Sequence, residues 1–138
     1  MAKTIRDLMT KNPSTIEPDK SVADAAKLMR DEDAGIVPIV DGQKLVGTTT
    51  DRDIAIRIVA EGKDPQSTKV REIMTSRLVT VDPDQELDEA LRLMAEHQVR
   101  RLPVVEEDGK LIGIVAQADI AKHTSDETTG RVVEQISQ

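Results

Sequence analysis

The sequence predicts an α/β protein of the α+β kind, made of two copies of one β-α-β-β-α unit, and three observations carry that reading. The hexapeptide Ile5-Arg6-Asp7-Leu8-Met9-Thr10 returns 65 positions on as Val70-Arg71-Glu72-Ile73-Met74-Thr75, and self-similarity at a fixed period marks a duplicated structural unit. Stretches with apolar residues at helical spacing recur at the same place in each copy. Paired apolar runs flank glycine-containing turns, as in a β-hairpin.

The register holds along the chain. Thr15, Pro18, Asp19, Ala25, Leu28, Met29, Pro38 and Val40 return as Thr80, Pro83, Asp84, Ala90, Leu93, Met94, Pro103 and Val105. Beyond Val40 the offset becomes 66, pairing Lys44, Gly47, Asp53 and Ile54 with Lys110, Gly113, Asp119 and Ile120, so one residue is inserted in a turn. Each copy begins with a short β-prone segment, Thr15-Ile16 or Thr80-Val81, closed by the turn signals Glu17-Pro18-Asp19 or Asp82-Pro83-Asp84. A helix follows. Ser21 and Asp24 have the spacing of a capping box, and Val22, Ala25, Ala26 and Met29 form its apolar stripe. Copy two repeats the stripe with Leu87, Ala90, Leu91 and Met94. The runs 36–40 and 45–49 flank Asp41-Gly42-Gln43-Lys44 as a hairpin, and its partner turns between Glu106 and Lys110. From Asp51 to Glu61, Ile54, Ala55, Ile58 and Val59 lie on one side of a second helix that should stop at Gly62.

This divides the chain into repeat one over 1–62, a polar, proline-containing linker over 63–69, repeat two over 70–123 and a tail over 124–138. In the tail, Val132, Val133 and Ile136 could line a short helix docked on the body or on another subunit. A unit of about 60 residues with one apolar sheet face is marginal alone, so the copies are expected to pack sheet to sheet with pseudo-twofold symmetry.

Composition removes several functions. No residue of the 138 is aromatic, so the core must be aliphatic and methionine-based, and the formal charge is −7. Negative charge opposes the phosphate backbone, and missing aromatics remove the platforms on which single-stranded bases stack, so nucleic acid is not expected as a partner. The absence of cysteine excludes disulfides, thiol chemistry and cysteine-ligated zinc. No apolar run resembles a signal peptide or reaches membrane-spanning length, so a cytoplasmic location is expected, with no membrane partner.

At Arg6-Asp7-Leu8-Met9-Thr10, at Ile36-Val37-Pro38-Ile39-Val40, at Leu102-Pro103-Val104-Val105 and from Gly47 to Asp53, the chain resembles CBS domains. Thr50-Asp51-Arg52-Asp53-Ile54, His97-Gln98-Val99-Arg100-Arg101 and Ala118-Asp119-Ile120-Ala121 are similar to small stand-alone bacterial pairs of the hypoxic-response type. The resemblance covers nearly the whole chain. It implies a CBS pair, or Bateman module, whose clefts take AMP, ADP, ATP or S-adenosylmethionine, with no cofactor. It also implies a homodimer. With no output domain attached, output is expected in trans through an effector protein, or through sequestration of the ligand. The family's Thr-x-x-Asp pattern implies two unequal sites. Site one combines Thr50, Arg52 and Asp53 with Thr80, Val99, Arg100 and Arg101. Site two, the weaker, combines Ala116 and Asp119 with Thr15, Ala34 and Gly35, since Ala116 stands where copy one has Thr50. An aspartate can accept two ribose hydroxyls, arginine offers the fork that phosphate prefers, and Val or Ala can flank an adenine ring.

Each residue also has a plainer reading. Thr50 and Asp53 are spaced as a helix capping box. Arg100-Arg101 could be a solvated pair offsetting Glu96, Glu106 and Glu107, although Gly35-Ile36 in copy one shows that the fold does not demand arginine there. His97 and His123 have no metal-ligand spacing, the methionines read as core, and three consecutive residues at Asp51-Arg52-Asp53 do not converge on one ion, so no metal is expected. There is no activated nucleophile and no phosphate-cradling glycine loop, so the expectation is a sensor and not an enzyme. The alternative is a structural interaction protein with degenerate, non-binding clefts.

Overall fold

The computed structural model describes residues 3–123, so the expected tail helix lies outside the described residues. In chain order the elements are α1 (Ile5–Leu8), β1 (Thr10–Lys11), α2 (Val22–Glu32), β2 (Ile36–Asp41), β3 (Lys44–Thr50) and α3 (Asp51–Ile54). A π turn over Ala55–Val59 and a 3-10 turn over Val70–Glu72 precede α4 (Leu87–His97), β4 (Arg101–Val105), β5 (Leu111–Ala116) and α5 (Gln117–Ala121). This is a mixed α+β architecture with antiparallel sheets.

Packing does not follow the sequence repeats. Of the described residues, a continuous unit holds 14–78, and a split unit joins 3–13 to 79–123. Each unit is the body of one repeat closed by the opening segment of the other. In the continuous unit, Val70 and Ile73 are buried with Ile16, Val22, Met29, Val37, Ile39 and Ile58. In the split unit, Ile5 is buried with Val81, Leu91, Met94, Leu102, Val104 and Ile120.

The two closures use the same bonds. The amides of Val70 and Arg71 donate to Lys20 O and Pro18 O at 2.8 and 3.2 Å, and those of Ile5 and Arg6 donate to Gln85 O and Pro83 O at 3.0 and 2.9 Å. Arg71 pairs with Asp19, and Arg6 pairs with Asp84 at 3.4 Å. At the sheet, a Cβ on Gly47 would lie 2.6 Å from Met74 Sδ, and one on Gly113 would lie 2.6 Å from Met9 Sδ. Each opening methionine therefore occupies the space that glycine leaves bare in the other repeat. The 63–69 segment is more than a tether, because Thr68 O and Pro65 O accept from the amides of Val22 and Ala23 at 2.8 and 2.9 Å and so close the start of α2.

Strand pairing matches the expected hairpins, with the same bulge in both, at Ile39/Val40 and at Val104/Val105. The expected first strand of each copy shrinks to one parallel bridge, Ile16 to Ile39 and Val81 to Val104. On α2, Ser21 Oγ accepts from the Asp24 amide at 3.0 Å, and Ala26 faces solvent while Val22, Ala25 and Met29 are buried. All four stripe residues of α4 are buried. The second helix of copy one departs from the expected pattern. It changes to π pitch at Ala55 and ends at Val59, short of the expected Glu61, with Gly62 at φ +68° in the turn that follows. The wider turn keeps Ile58 buried, exposes Ala55 and leaves Val59 73% exposed, so Ala55 and Val59 do not share the buried face.

Candidate functional site

In the continuous unit, the end of β3 and the start of α3 place the Thr50–Asp53 pair. Thr50 Oγ1 accepts from the Asp53 amide at 3.1 Å, and the Thr50 amide donates to Asp53 Oδ2 at 2.9 Å. The plain capping-box reading is therefore realised, both halves of it. It does not use up the carboxylate. Asp53 Oδ1 accepts no hydrogen bond among the described residues and has Arg57 Nε at 4.0 Å, and the Asp53 side chain is only 15% exposed. Gly35 is held beside this helix start, since its carbonyl accepts from the Asp51 amide at 3.1 Å, and Ala34 is fixed by donation to Met29 O at 2.9 Å. Arg52 is exposed, with its amide bonded to Asp51 Oδ1 at 2.8 Å.

In the split unit the same stitch joins β4 to α5, as the Gln117 amide donates to Arg100 O at 2.8 Å. Arg101 is the strand partner of Ala116. Both arginine side chains are exposed and make no ion pair among the described residues. Val99 is half-buried against the aliphatic core, and Thr80 is half-buried just before the Val81 bridge. Ala116 has no hydroxyl to cap α5, and among the described residues half-buried Asp119 makes no counterpart of the amide bond that fixes Asp53.

The structure thus gathers Ala34, Gly35, Thr50, Arg52 and Asp53 at one helix start and Arg100, Arg101, Ala116 and Asp119 at the other. Thr15 is exposed and lines an open groove of about 510 Å³ with Glu17, Lys20, Asp24 and Leu28. A second groove, of about 410 Å³, is bordered by Arg6, Asp82, Asp84, Glu106, Glu107 and Asp108, a lining that repels phosphate.

Three features escaped the sequence reading. Arg57 Nη1 donates to Ile73 O at 2.7 Å and to Met74 O at 3.5 Å, a contact that requires the opening segment of copy two to fold onto copy one. Its spacing of four from Asp53 was the available signal. Thr49 is fully buried, and among the described residues neither its Oγ1 nor Gln117 Nε2 has a hydrogen-bond partner. Among the described residues, no group of three His, Asp or Glu is placed to hold a metal ion, and no helix is long and apolar enough to cross a membrane.

Comparison with known proteins gives a CBS domain match at residues 5–60 and again at 70–126. The CBS domain-containing protein YhcV of Bacillus subtilis is 42% identical over 97% of this chain and 95% of its own length. The crystal structure of Hypoxic Response Protein I with two coordinated zinc ions superposes with a TM-score of 0.82 at 40% identity, covering 89% of this chain and all of that one. The CBS domain pair of protein MJ0100, in complex with 5-methylthioadenosine and S-adenosyl-L-methionine, superposes with a TM-score of 0.79 at 31% identity, covering 88% of this chain and 95% of that one.

Proposed function

Because the chain belongs to the CBS domain family, with two copies of the domain, we propose that it is a non-enzymatic regulatory module that binds an adenine-containing ligand in clefts between its repeats. The ligand class is AMP, ADP, ATP or S-adenosylmethionine. Thr50, Arg52 and Asp53 form the better site with Thr80, Val99, Arg100 and Arg101, and Ala116 and Asp119 form the weaker one with Thr15, Ala34 and Gly35. The observation that carries this reading is the Asp53 carboxylate, 15% exposed, oriented by the Thr50 amide and left with one oxygen that accepts no hydrogen bond among the described residues. Such a group suits the paired hydroxyls of a ribose. The adenosine ligands of the similar MJ0100 pair support the class, and Arg52, Arg100 and Arg101, exposed and without an ion pair among the described residues, supply phosphate forks on a chain of net charge −7.

The zinc ions of Hypoxic Response Protein I belong to that protein, and no zinc is proposed for this chain. The module acts in the cytoplasm as a homodimer and transmits occupancy through that dimer or through an effector protein.

The test is a thermal-shift and calorimetry panel of AMP, ADP, ATP, S-adenosylmethionine and NAD. A ligand at one hundred times its dissociation constant adds about 2.7 kcal/mol to stability. Asp53→Ala removes most of that gain and Asp119→Ala removes less. Equal losses would refute unequal sites, and an ATP-to-adenosine affinity ratio unchanged by Arg100→Ala and Arg101→Ala would remove the arginines from the site. The uncapped Ala116 favours a second reading, a structural interaction protein with degenerate clefts, and a panel without a single shift would select it.

A further inference from the structure

We propose that Arg57 is a positioning residue for Asp53 and links that carboxylate to the segment Val70–Thr75, so that occupancy at Asp53 changes how firmly the segment is held. The link deepens the reading of Asp53 as a ligand acceptor and rests on it for its ligand-dependent half. One guanidinium stands between the two. Its Nη1 bonds Ile73 O at 2.7 Å and reaches Met74 O at 3.5 Å, while its Nε lies 4.0 Å from Asp53 Oδ1. Asp53 cannot drift from its side, because Oδ2 is fixed by the Thr50 amide.

The segment that Arg57 holds is the one that closes the continuous unit. Ile73 is 1% exposed, Met74 fills the space above Gly47, and Thr75 exchanges two backbone bonds with Thr48, at 2.9 and 3.0 Å. Thr48 lies two residues before Thr50 on the same strand, so the path from the carboxylate to the segment and back is closed. A guanidinium has five donors in a fixed plane, enough to serve two carbonyls and a carboxylate together. A hydroxyl that donates to Asp53 Oδ1 alters the pull on that plane, and by linkage the held segment alters the affinity in return.

The second copy lacks the device. His123 stands at the place of Arg57 and Leu8-Met9 at that of Ile73-Met74, with no side-chain bond to those carbonyls among the described residues. The link is therefore a property of the better site alone.

The experiment is amide hydrogen exchange at Thr48 and Thr75 in the full chain, followed by NMR, with calorimetry against ATP, AMP and S-adenosylmethionine. Without nucleotide, Arg57→Met speeds exchange at both amides by about tenfold, the loss expected of one charged hydrogen bond. Asp53→Asn speeds it less, and the double variant exchanges no faster than Arg57→Met alone. Additive effects, or no effect of Asp53→Asn, would overturn the link whatever binds. With the tightest-binding probe, the two amides are protected in the wild type and unprotected in Arg57→Met. Arg57→Lys, which keeps the charge but not the fork, retains more affinity than Arg57→Met without recovering the protection. If the probe protects both amides equally in wild type and Arg57→Met, the link fails while nucleotide binding stands. If no probe binds but the ligand-free effects are non-additive, the binding proposal fails while the Asp53–Arg57 link stands.

Discussion

The last strand and following helix of the two copies form a natural internal comparison. Copy one reads Gly47, Thr49, Thr50, Asp53 and Arg57, and copy two reads Gly113, Val115, Ala116, Asp119 and His123. The glycines do the same work in both, each leaving room for a methionine from the other repeat's opening segment. The backbone stitch from helix start to hairpin is also the same, Asp51 to Gly35 and Gln117 to Arg100. What differs is polar: copy one has the hydroxyl cap, the amide-bonded aspartate and the arginine bridge, and copy two has none of these among the described residues. Features present in both copies serve the fold, and features confined to one are free to serve a ligand.

The sharpest way to break this comparison is at the shared glycines. A methyl at Gly113 would lie 2.9 Å from the backbone oxygen of Thr10, which cannot rotate away, whereas at Gly47 the corresponding oxygen is 3.1 Å off. Gly113→Ala is expected to cost about 1–3 kcal/mol in denaturant unfolding, as overpacking does, and Gly47→Ala less. Equal costs would show that both segments yield alike.

Exchanging the caps has the next effect. Thr50→Ala should lower stability by about 1 kcal/mol, and Ala116→Thr should raise it by a similar amount by building the missing box with Asp119. Both are read from urea midpoints at constant slope, and an unimproved Ala116→Thr would mean that Asp119 cannot turn to the cap. Smaller still is Thr49→Val, which gives the buried position the residue that copy two already uses. Removing an unpartnered hydroxyl should stabilise by up to about 1 kcal/mol in calorimetry, and a loss instead would reveal a partner for Oγ1.

The smallest effect concerns the opening segment itself. The Thr4 amide, donating to Asp7 Oδ2 at 2.9 Å, holds the Asp7 carboxyl below its ordinary value of 3.8. A carboxyl lowered on folding contributes stability that is complete above that value and fades as pH falls through the lower folded one. Asp7→Asn should therefore be slightly less stable than wild type at neutral pH, and the gap should close in acid. A gap that persists in acid would assign the effect to something other than the charge.

The Thr50–Asp53 pair was legible because spacing alone tests a capping box, and the hairpins because apolar runs around a glycine turn encode their own pairing. Arg57 was not legible as a contact, since its carbonyl partners sit 16 and 17 residues away, in a segment that the repeat pattern assigns to the other copy. Val59 was misplaced because a periodic stripe assumes α pitch, and the change to π pitch at Ala55 keeps Ile58 buried while turning Val59 outward, a shift that spacing alone does not show.

By itself the sequence determined the duplicated unit, the order of its elements, the inserted turn residue and the inequality of the two helix starts, because each depends on neighbours along the chain. Only the tertiary structure decided which opening segment closes which body. Both segments carry nearly the same residues and both bodies offer the same bare glycine and aspartate, so the local pattern allows either pairing, and only contacts distant in sequence, such as that of Arg57 with Ile73 O, tell the two apart.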